Sequence, residues 1–243
     1  PETEICWVVK ADAYGHGAVF VARTLERMGA KWFAVSNIEE AEQLRSGGVA
    51  GSILILGYTP PEMAERLSCL CVSQAVFSKD YGEELQRYAQ EAEVTVKVHL
   101  KVDTGMSRIG FLYQDPQRDA VSVEEMEAVC RLPNLEHEGI FTHFAVSDDG
   151  KPGSGYTKEQ FDNFMDCVEK LQQRGITFRY RHCANSGAVC DYPEMHLDMV
   201  RPGVIIYGLN PSGVLRNPLP LKPVMELKTI ISMLKTVEIN TTV

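Results

Sequence analysis

Long apolar runs are missing from this chain of 243 residues. Nothing approaches the ~18 uncharged apolar residues that a membrane helix requires; the longest candidate, residues 53–56, is strand-sized. Basic residues are also few. Lys and Arg total 24 against 33 Asp and Glu, a net charge of −9. That excludes a general nucleic-acid binder, whose phosphate contacts need clustered cations, and leaves room only for a local basic pocket around one small anion. No basic segment precedes an apolar core, so no secretory signal is read. The opening Pro1-Glu2-Thr3 lacks an initiator Met and reads as part of something longer. No fixed period repeats along the chain. The seven cysteines (Cys6, Cys69, Cys71, Cys130, Cys167, Cys183 and Cys190) are odd in number and form no Cys-x-x-Cys pair. A disulfide framework is therefore not expected, and a reducing cytoplasmic compartment is. His182-Cys183 has no further ligand at metal spacing, so no metal site is expected.

What is present is an alternation of short apolar runs with longer amphipathic stretches. Strands are predicted at 6–9, 32–35, 52–56, 69–72, 94–102, 135–141, 178–181 and 204–207. Helices are predicted between them at 17–28, 38–46 with Ser36 as N-cap, 60–67, 79–92, 121–130, 158–173 and 186–190. Parallel neighbours need crossovers, so about eight β/α units favour a closed TIM-type (β/α)₈ barrel. An open doubly wound sheet is the alternative, but no Gly-x-Gly-x-x-Gly follows the first strand. After Gly208 the texture changes. Residues 210–223 hold four prolines and read as a linker, and residues 224–243 read as the opening strands of a second, mostly absent β domain. The expected division is a barrel over 1–223 and the start of a β domain over 224–243.

Five segments carry residues suited to chemistry. In Val8-Val9-Lys10-Ala11-Asp12-Ala13-Tyr14-Gly15-His16-Gly17 a lysine ends an apolar strand, where parallel barrels build their active sites. Apolar surroundings would lower its amine into the nucleophilic range that a Schiff-base lysine needs; otherwise Lys10 snorkels to solvent and the glycines merely shape a turn. In residues 99–111 a strand runs into a Gly-punctuated loop bearing Lys101 and Arg108, with only Asp103 as an acid between them. This suits an anion site, an ion-pair network, or a solvated Lys101–Asp103 pair of little worth. His143 follows a strand in Thr142-His143-Phe144-Ala145 and reads as an orienting group. Asn185-Ser186 sit at a strand-to-helix turn, where Ser186 could hold a phosphate or simply cap a helix. Arg201, Gly203 and Val204 fit a pocket wall at which backbone amides meet phosphate, or an ordinary surface arginine before a buried strand.

Together these segments resemble the bacterial alanine racemases, pyridoxal-phosphate barrels with an appended β domain. Lys-Ala-Asp-Ala-Tyr-Gly-His-Gly, Lys-x-Asp-Thr-Gly-Met-x-Arg-x-Gly, Thr-His-Phe-Ala, His-x-Ala-Asn-Ser and Arg-x-Gly-x-x-x-Tyr-Gly occur in family order over residues 8–208. The resemblance implies that Lys10 carries the cofactor covalently and acts as a catalytic base. It implies that Tyr14, Ser186 and their neighbours Asn185, Gly203 and Val204 bind the cofactor around its phosphate, and that His143 lies beside the ring. Arg108 then contacts the phenolic oxygen and the substrate carboxylate, Lys101 is carbamylated and orients Arg108, and Arg201 faces the pyridine nitrogen. An arginine cannot give that nitrogen a proton, which makes the ring a weaker electron sink. The implied reaction is two-base interconversion of L- and D-alanine, supplying peptidoglycan, by a homodimer in the cytoplasm or by the cytoplasmic domain of a membrane-anchored parent. The family's second base is a tyrosine in a Ser-Tyr-Gly segment; none occurs here, and neither Tyr156 nor Tyr207 has that context. The alternatives are the serine racemase branch linked to glycopeptide resistance, a barrel with the same cofactor but no racemase activity, and a cofactor-binding scaffold.

Overall fold

The computed structural model describes residues 3–241. Eight parallel strands form a nearly closed barrel: β1 Glu4–Val8, β2 Trp32–Val35, β3 Ser52–Ile55, β4 Ser73–Val76, β5 Val96–Asp103, β7 Leu135–Phe141, β8 Tyr180–His182 and β9 Met199–Val200. Their order is β8-β7-β5-β4-β3-β2-β1-β9, and the two-residue strand β6, Phe111–Leu112, pairs with the end of β5. Backbone hydrogen bonds close the ring between β8 and β9, from Asp198 N to Arg181 O at 3.2 Å and from Arg201 N to Ala184 O at 2.8 Å. The crossover helices are α1 Ala18–Arg27, α2 Ile38–Ser46, α3 Ala64–Cys69, α4 Lys79–Glu91, α5 Val121–Cys130, α6 Gly150–Gln173 and α7 Ser186–Asp191.

Strand β5 shows why its sequence suits this place. Val96, Val98, Leu100 and Val102 join the core between sheet and helices. The period of two turns His99, Lys101 and Asp103 the other way, into the barrel. There His99 meets Trp32 and Tyr180, which pack with Cys6, Val8, Ala34, Leu54 and Met199 in a small interior cluster. A register shift between Val98 and His99 makes room for the imidazole. Gly139 on β7 makes the rest, because a Cβ there would stand 2.2 Å from His99 Nδ1.

Four predicted elements move. The N-cap of α2 is Asn37, not Ser36; its extended backbone lets the side chain accept from Glu40 N. Residues 69–72 are the end and exit of α3 rather than a strand, and β4 begins at Ser73. Arg45 fixes that exit by donating to the carbonyls of Leu70 and Cys71 while also holding Val49 and Gly51. Helix α6 starts at Gly150, eight residues earlier than the poor helix formers of 150–157 suggest. Burial overrides propensity there: Gly153 lies so close to Val146 that a Cβ would meet its carbonyl oxygen at 2.3 Å. The last strand is Met199–Val200, and 204–207 form a 3₁₀ turn closed by Gly208 at φ +84°. The strands expected over 224–243 are not found over the described residues 224–241, which lack a packed partner and are almost wholly exposed, Leu227 at 98%; residues 242–243 lie outside the described residues. All seven cysteines are free, and only Cys69 and Cys71 are exposed. No helix among the described residues is long and apolar enough to cross a membrane.

Candidate active site

All five segments singled out from the sequence fall at the C-terminal ends of β1, β5, β7, β8 and β9, on one mouth of the barrel. Their charges share one field. Burial holds the His143 imidazole well below its ordinary range, and Arg201, Lys101, Arg108 and Lys10 push it down further. The Lys10 amine is lowered by burial and then by Arg108, while Glu40 pulls it back up. This mouth is a cationic recess with neutral bases inside it.

Lys10 opens an unusual turn. Ala11, Asp12, Ala13 and Tyr14 have φ of +51°, +51°, +54° and +54°, four successive left-handed residues without a glycine among them. Each costs roughly 1–2 kcal/mol for an L-residue, so the surroundings must hold the turn. Asp12 accepts from Ala18 N at 2.7 Å, and Gly17 N donates to Asp12 O. The His16 ring nitrogen Nδ1 lies 2.8 Å from Ala13 O, and its ring stacks on Tyr207 at 4.5 Å. Glu40 accepts from Ala11 N. The result projects Tyr14 over Gly203, where a Cβ would stand 2.8 Å from the Tyr14 hydroxyl. Ser186 Oγ accepts from Gly203 N at 2.8 Å in the same corner. Lys10, Tyr14, Ser186, Gly187, Gly203 and Val204 border a cleft of about 130 Å³, with Asp148 and Asn185 at its edge. Asn185 is committed to the fold: its Oδ1 accepts from Ala188 N and Ser147 Oγ, so it caps α7 and sets Ser186 in place.

Arg201 is buried in the wall of this cleft. It donates to Thr142 O and to His182 Nδ1, both at 2.7 Å, and approaches His143 Nδ1 at 3.3 Å. His182 Nε2 lies 2.9 Å from His99 Nδ1, and His99 Nε2 faces Glu138, which accepts from Ser73. A polar column thus runs down the barrel, and its protons can be assigned. Arginine only donates, so His182 Nδ1 accepts and its Nε2 carries the hydrogen. His99 Nδ1 must then accept, and its Nε2–H faces Glu138 across 3.8 Å, beyond hydrogen-bond reach. Every donor points away from Arg201. Burial holds both imidazoles below their ordinary range, His182 well below.

That burial has a measurable consequence. The folded histidines resist protonation, whereas in the unfolded chain they titrate near pH ~6.5. The stability they confer is complete above about pH 6.5 and is lost as pH falls towards the depressed folded values. From pH 6.5 to 5 the unfolding free energy should drop by up to ~1.4 kcal/mol per pH unit for each of His99 and His182. Urea titrations at pH 7, 6 and 5 measure it, and a flat profile would contradict the neutral column.

Lys101 is the one buried cationic side chain here without a partner. Its Nζ makes no hydrogen bond and lies 5.0 Å from the Phe141 ring centre. Asp103 does not pair with it; that carboxylate accepts from Gly105 N and Ser107 N and shapes the loop to Arg108. Burial, Arg201 and Arg108 hold the amine well below its usual range. Arg108 itself is exposed. Sequence reasoning quoted His16 and His99 within its motifs without giving them a role, and missed Glu40 and Glu138. The apolar–polar alternation along β5 was the signal available for His99; the links of Glu40 to Ala11 and of Glu138 to Ser73, distant in sequence, left none. Among the described residues no cluster of three His, Cys, Asp or Glu could hold a metal.

Fold and site define a class: parallel α/β barrels whose strand ends gather lysines, arginines and a glycine-lined cleft at one mouth. Within it, this chain belongs to the alanine racemase family, whose N-terminal domain model matches residues 1–211. It is 44% identical over 241 residues to the alanine racemase of Desulfovibrio desulfuricans, covering 98% of this chain and 62% of that protein. To the alanine racemase of Clostridium tetani it is 44% identical over 97% of this chain and 59% of that one. The chain thus spans about three fifths of these relatives. Among solved structures, the alanine racemase of Clostridium difficile 630 in complex with cycloserine superposes with a TM-score of 0.85 at 38% identity, over 91% of this chain and 59% of that one. The histidine racemase of Leuconostoc mesenteroides subsp. sake gives 0.78 at 30%, over 91% and 57%.

Proposed function

We propose that the protein is a pyridoxal-phosphate-dependent alanine racemase, with residues 1–223 as its cofactor-binding barrel and residues 224–243 beginning its β domain. The observation carrying this reading is the convergence of Lys10, Tyr14, Ser186, Gly203 and Arg201 on one cleft. The donors suit the cofactor: a cradle that a Cβ at Gly203 would fill, a lysine with lowered amine, and a buried arginine in the cleft wall. The Tyr14 and Ser186 hydroxyls and the Gly203–Val204 backbone would take the phosphate, Lys10 the aldehyde carbon, and Arg201 the ring nitrogen. His143 would lie against the ring. Bound there, the cofactor supplies an electron-withdrawing ring that takes up the electron pair left when an α-carbon loses its proton.

The chain's own groups do the rest. Arg108 holds the substrate carboxylate and fixes which bond faces Lys10. The Lys10 amine, lowered from its ordinary range by burial and Arg108, moves the α-proton on one face. Arg201 keeps its proton, because guanidinium is a very weak acid and its N–H groups are held by His182 Nδ1 and Thr142 O. The base for the opposite face is assigned to a tyrosine outside residues 1–243. The Tyr156 hydroxyl is engaged with Gly105 O at 2.8 Å and that of Tyr207 with Val8 O at 2.9 Å. Alanine is favoured over serine because the curated relatives bear the alanine name. A cytoplasmic homodimer supplying D-alanine for peptidoglycan completes the proposal. With pyridoxal phosphate and D-alanine in D₂O, deuterium should enter the α-carbon, and serine should exchange far more slowly. Cofactor binding without α-exchange of alanine would refute the assignment.

Lys101 is proposed to be carbamylated. Its neutral amine attacks CO₂, an N–C bond forms, one proton leaves, and the resulting anion pairs with Arg108 in place of an unsatisfied buried amine. With ¹³C-bicarbonate, the protein should show one carbamate carbon signal that vanishes in Lys101→Met, and bicarbonate should raise the Tm of the wild type only. The same signal in both proteins would place the adduct elsewhere.

A further inference from the structure

We propose that Glu40 is the positioning residue for Lys10, binding the exits of β1 and β2 together through one carboxylate. Its Oε1 accepts from Ala11 N at 2.8 Å and its Oε2 from Ser36 N at 2.7 Å. Glu40 is the third residue of α2, where a carboxylate ordinarily turns back to the N–H of its own N-cap. Asn37 supplies its half of that arrangement by accepting from Glu40 N. Glu40 instead passes Asn37 and reaches the residue that begins the left-handed turn. Ala11 is joined to Lys10 by one peptide bond, so this contact sets where the lysine leaves the strand. The same carboxylate supplies the negative charge that pulls the Lys10 amine back up. Arg108 acts on the amine from the loop after β5, and Tyr14, Asp148 and Arg201 border the same cleft.

The inference rests on the reading of Lys10 as the reactive amine, and its test separates the two. Glu40→Gln keeps the shape of the side chain but removes its charge and turns an N–H donor towards one of the two backbone donors. Amide exchange at Ala11 and Ser36 should accelerate at least about tenfold through local opening. Ala13, whose N–H is held by Val9 O, should be unchanged. In a pH series of acetic anhydride labelling, read by mass spectrometry, the midpoint for Lys10 should move down. At a pH below that midpoint, labelling should rise about three- to tenfold, since one pKa unit is tenfold in free amine. Mere loosening of the turn would hydrate Lys10 and move the midpoint up, towards the ordinary lysine value. An upward or unmoved midpoint, or unchanged exchange at Ala11, overturns the role of Glu40 alone. A wild-type Lys10 that labels like a surface lysine overturns both readings.

Discussion

Replacing Lys10 with alanine is expected to abolish α-proton exchange of D-alanine, by at least ~10⁴-fold in rate, while the barrel stays folded. Two losses combine. A positioned acid–base group is typically worth about 10²–10⁴-fold, and the covalent anchor for the cofactor goes with it. The fold should survive because Lys10 is only half-buried and its side chain joins no ion pair among the described residues. The turn that presents it is held by Asp12, His16 and Glu40 instead. The rate of deuterium exchange into D-alanine, beside far-UV circular dichroism, separates activity from folding. Residual exchange within tenfold of the wild type would remove Lys10 from the chemistry.

Arg201→Ala should do the reverse damage, to the fold as well as the site. Arg201 is 3% exposed, and its guanidinium holds His182 Nδ1, Thr142 O and the approach to His143. It also lies over Phe141, which stacks on His182 at 4.8 Å. Truncation strands those acceptors at ~1–3 kcal/mol each and opens a hole in a packed interior. A loss of ~3–5 kcal/mol of unfolding free energy is expected, together with weaker cofactor binding. Arg201→Lys should recover only part of it, because a compact ammonium lacks the planar fork whose geometry reaches both acceptors. Nitrogen chemical shifts of His182 should also change, since nothing then forces its Nδ1 to accept. A change below ~1 kcal/mol in Arg201→Ala would mean that the column does not depend on this cation.

How much of this could be read in the sequence varies by element, for physical reasons. Leu135–Phe141 and Val121–Cys130 were predicted to the residue, because burial of alternate or helically spaced apolar positions leaves a strong periodic trace. Met199–Val200 was not found. Two paired residues leave no period, and the richer apolar run beside them, Val204–Tyr207, coils into a 3₁₀ turn. The start of α6 was hidden by Gly150, Pro152, Gly153 and Gly155, whose low helix propensity is overridden where Gly150 and Gly153 pack too close to their neighbours for a side chain. In the site, the motifs gave the positions of Lys10, Lys101, Arg108, His143 and Arg201, and the barrel topology explains why strand ends so far apart in sequence share one mouth. The left-handed turn could not be foreseen, since four such residues without glycine contradict local preference and depend on partners as distant as Glu40. The column His182–His99–Glu138 was equally invisible, because its links join β5, β7 and β8 only once the barrel closes.

Trapping the cofactor tests the central claim most directly. The protein is incubated with pyridoxal phosphate, reduced with borohydride, digested and mapped by mass spectrometry. One cofactor per chain on Lys10, absent from Lys10→Ala at equal loading, is the result this account predicts. Full labelling that persists in Lys10→Ala, or that lies chiefly on Lys101 or on surface lysines, would contradict it.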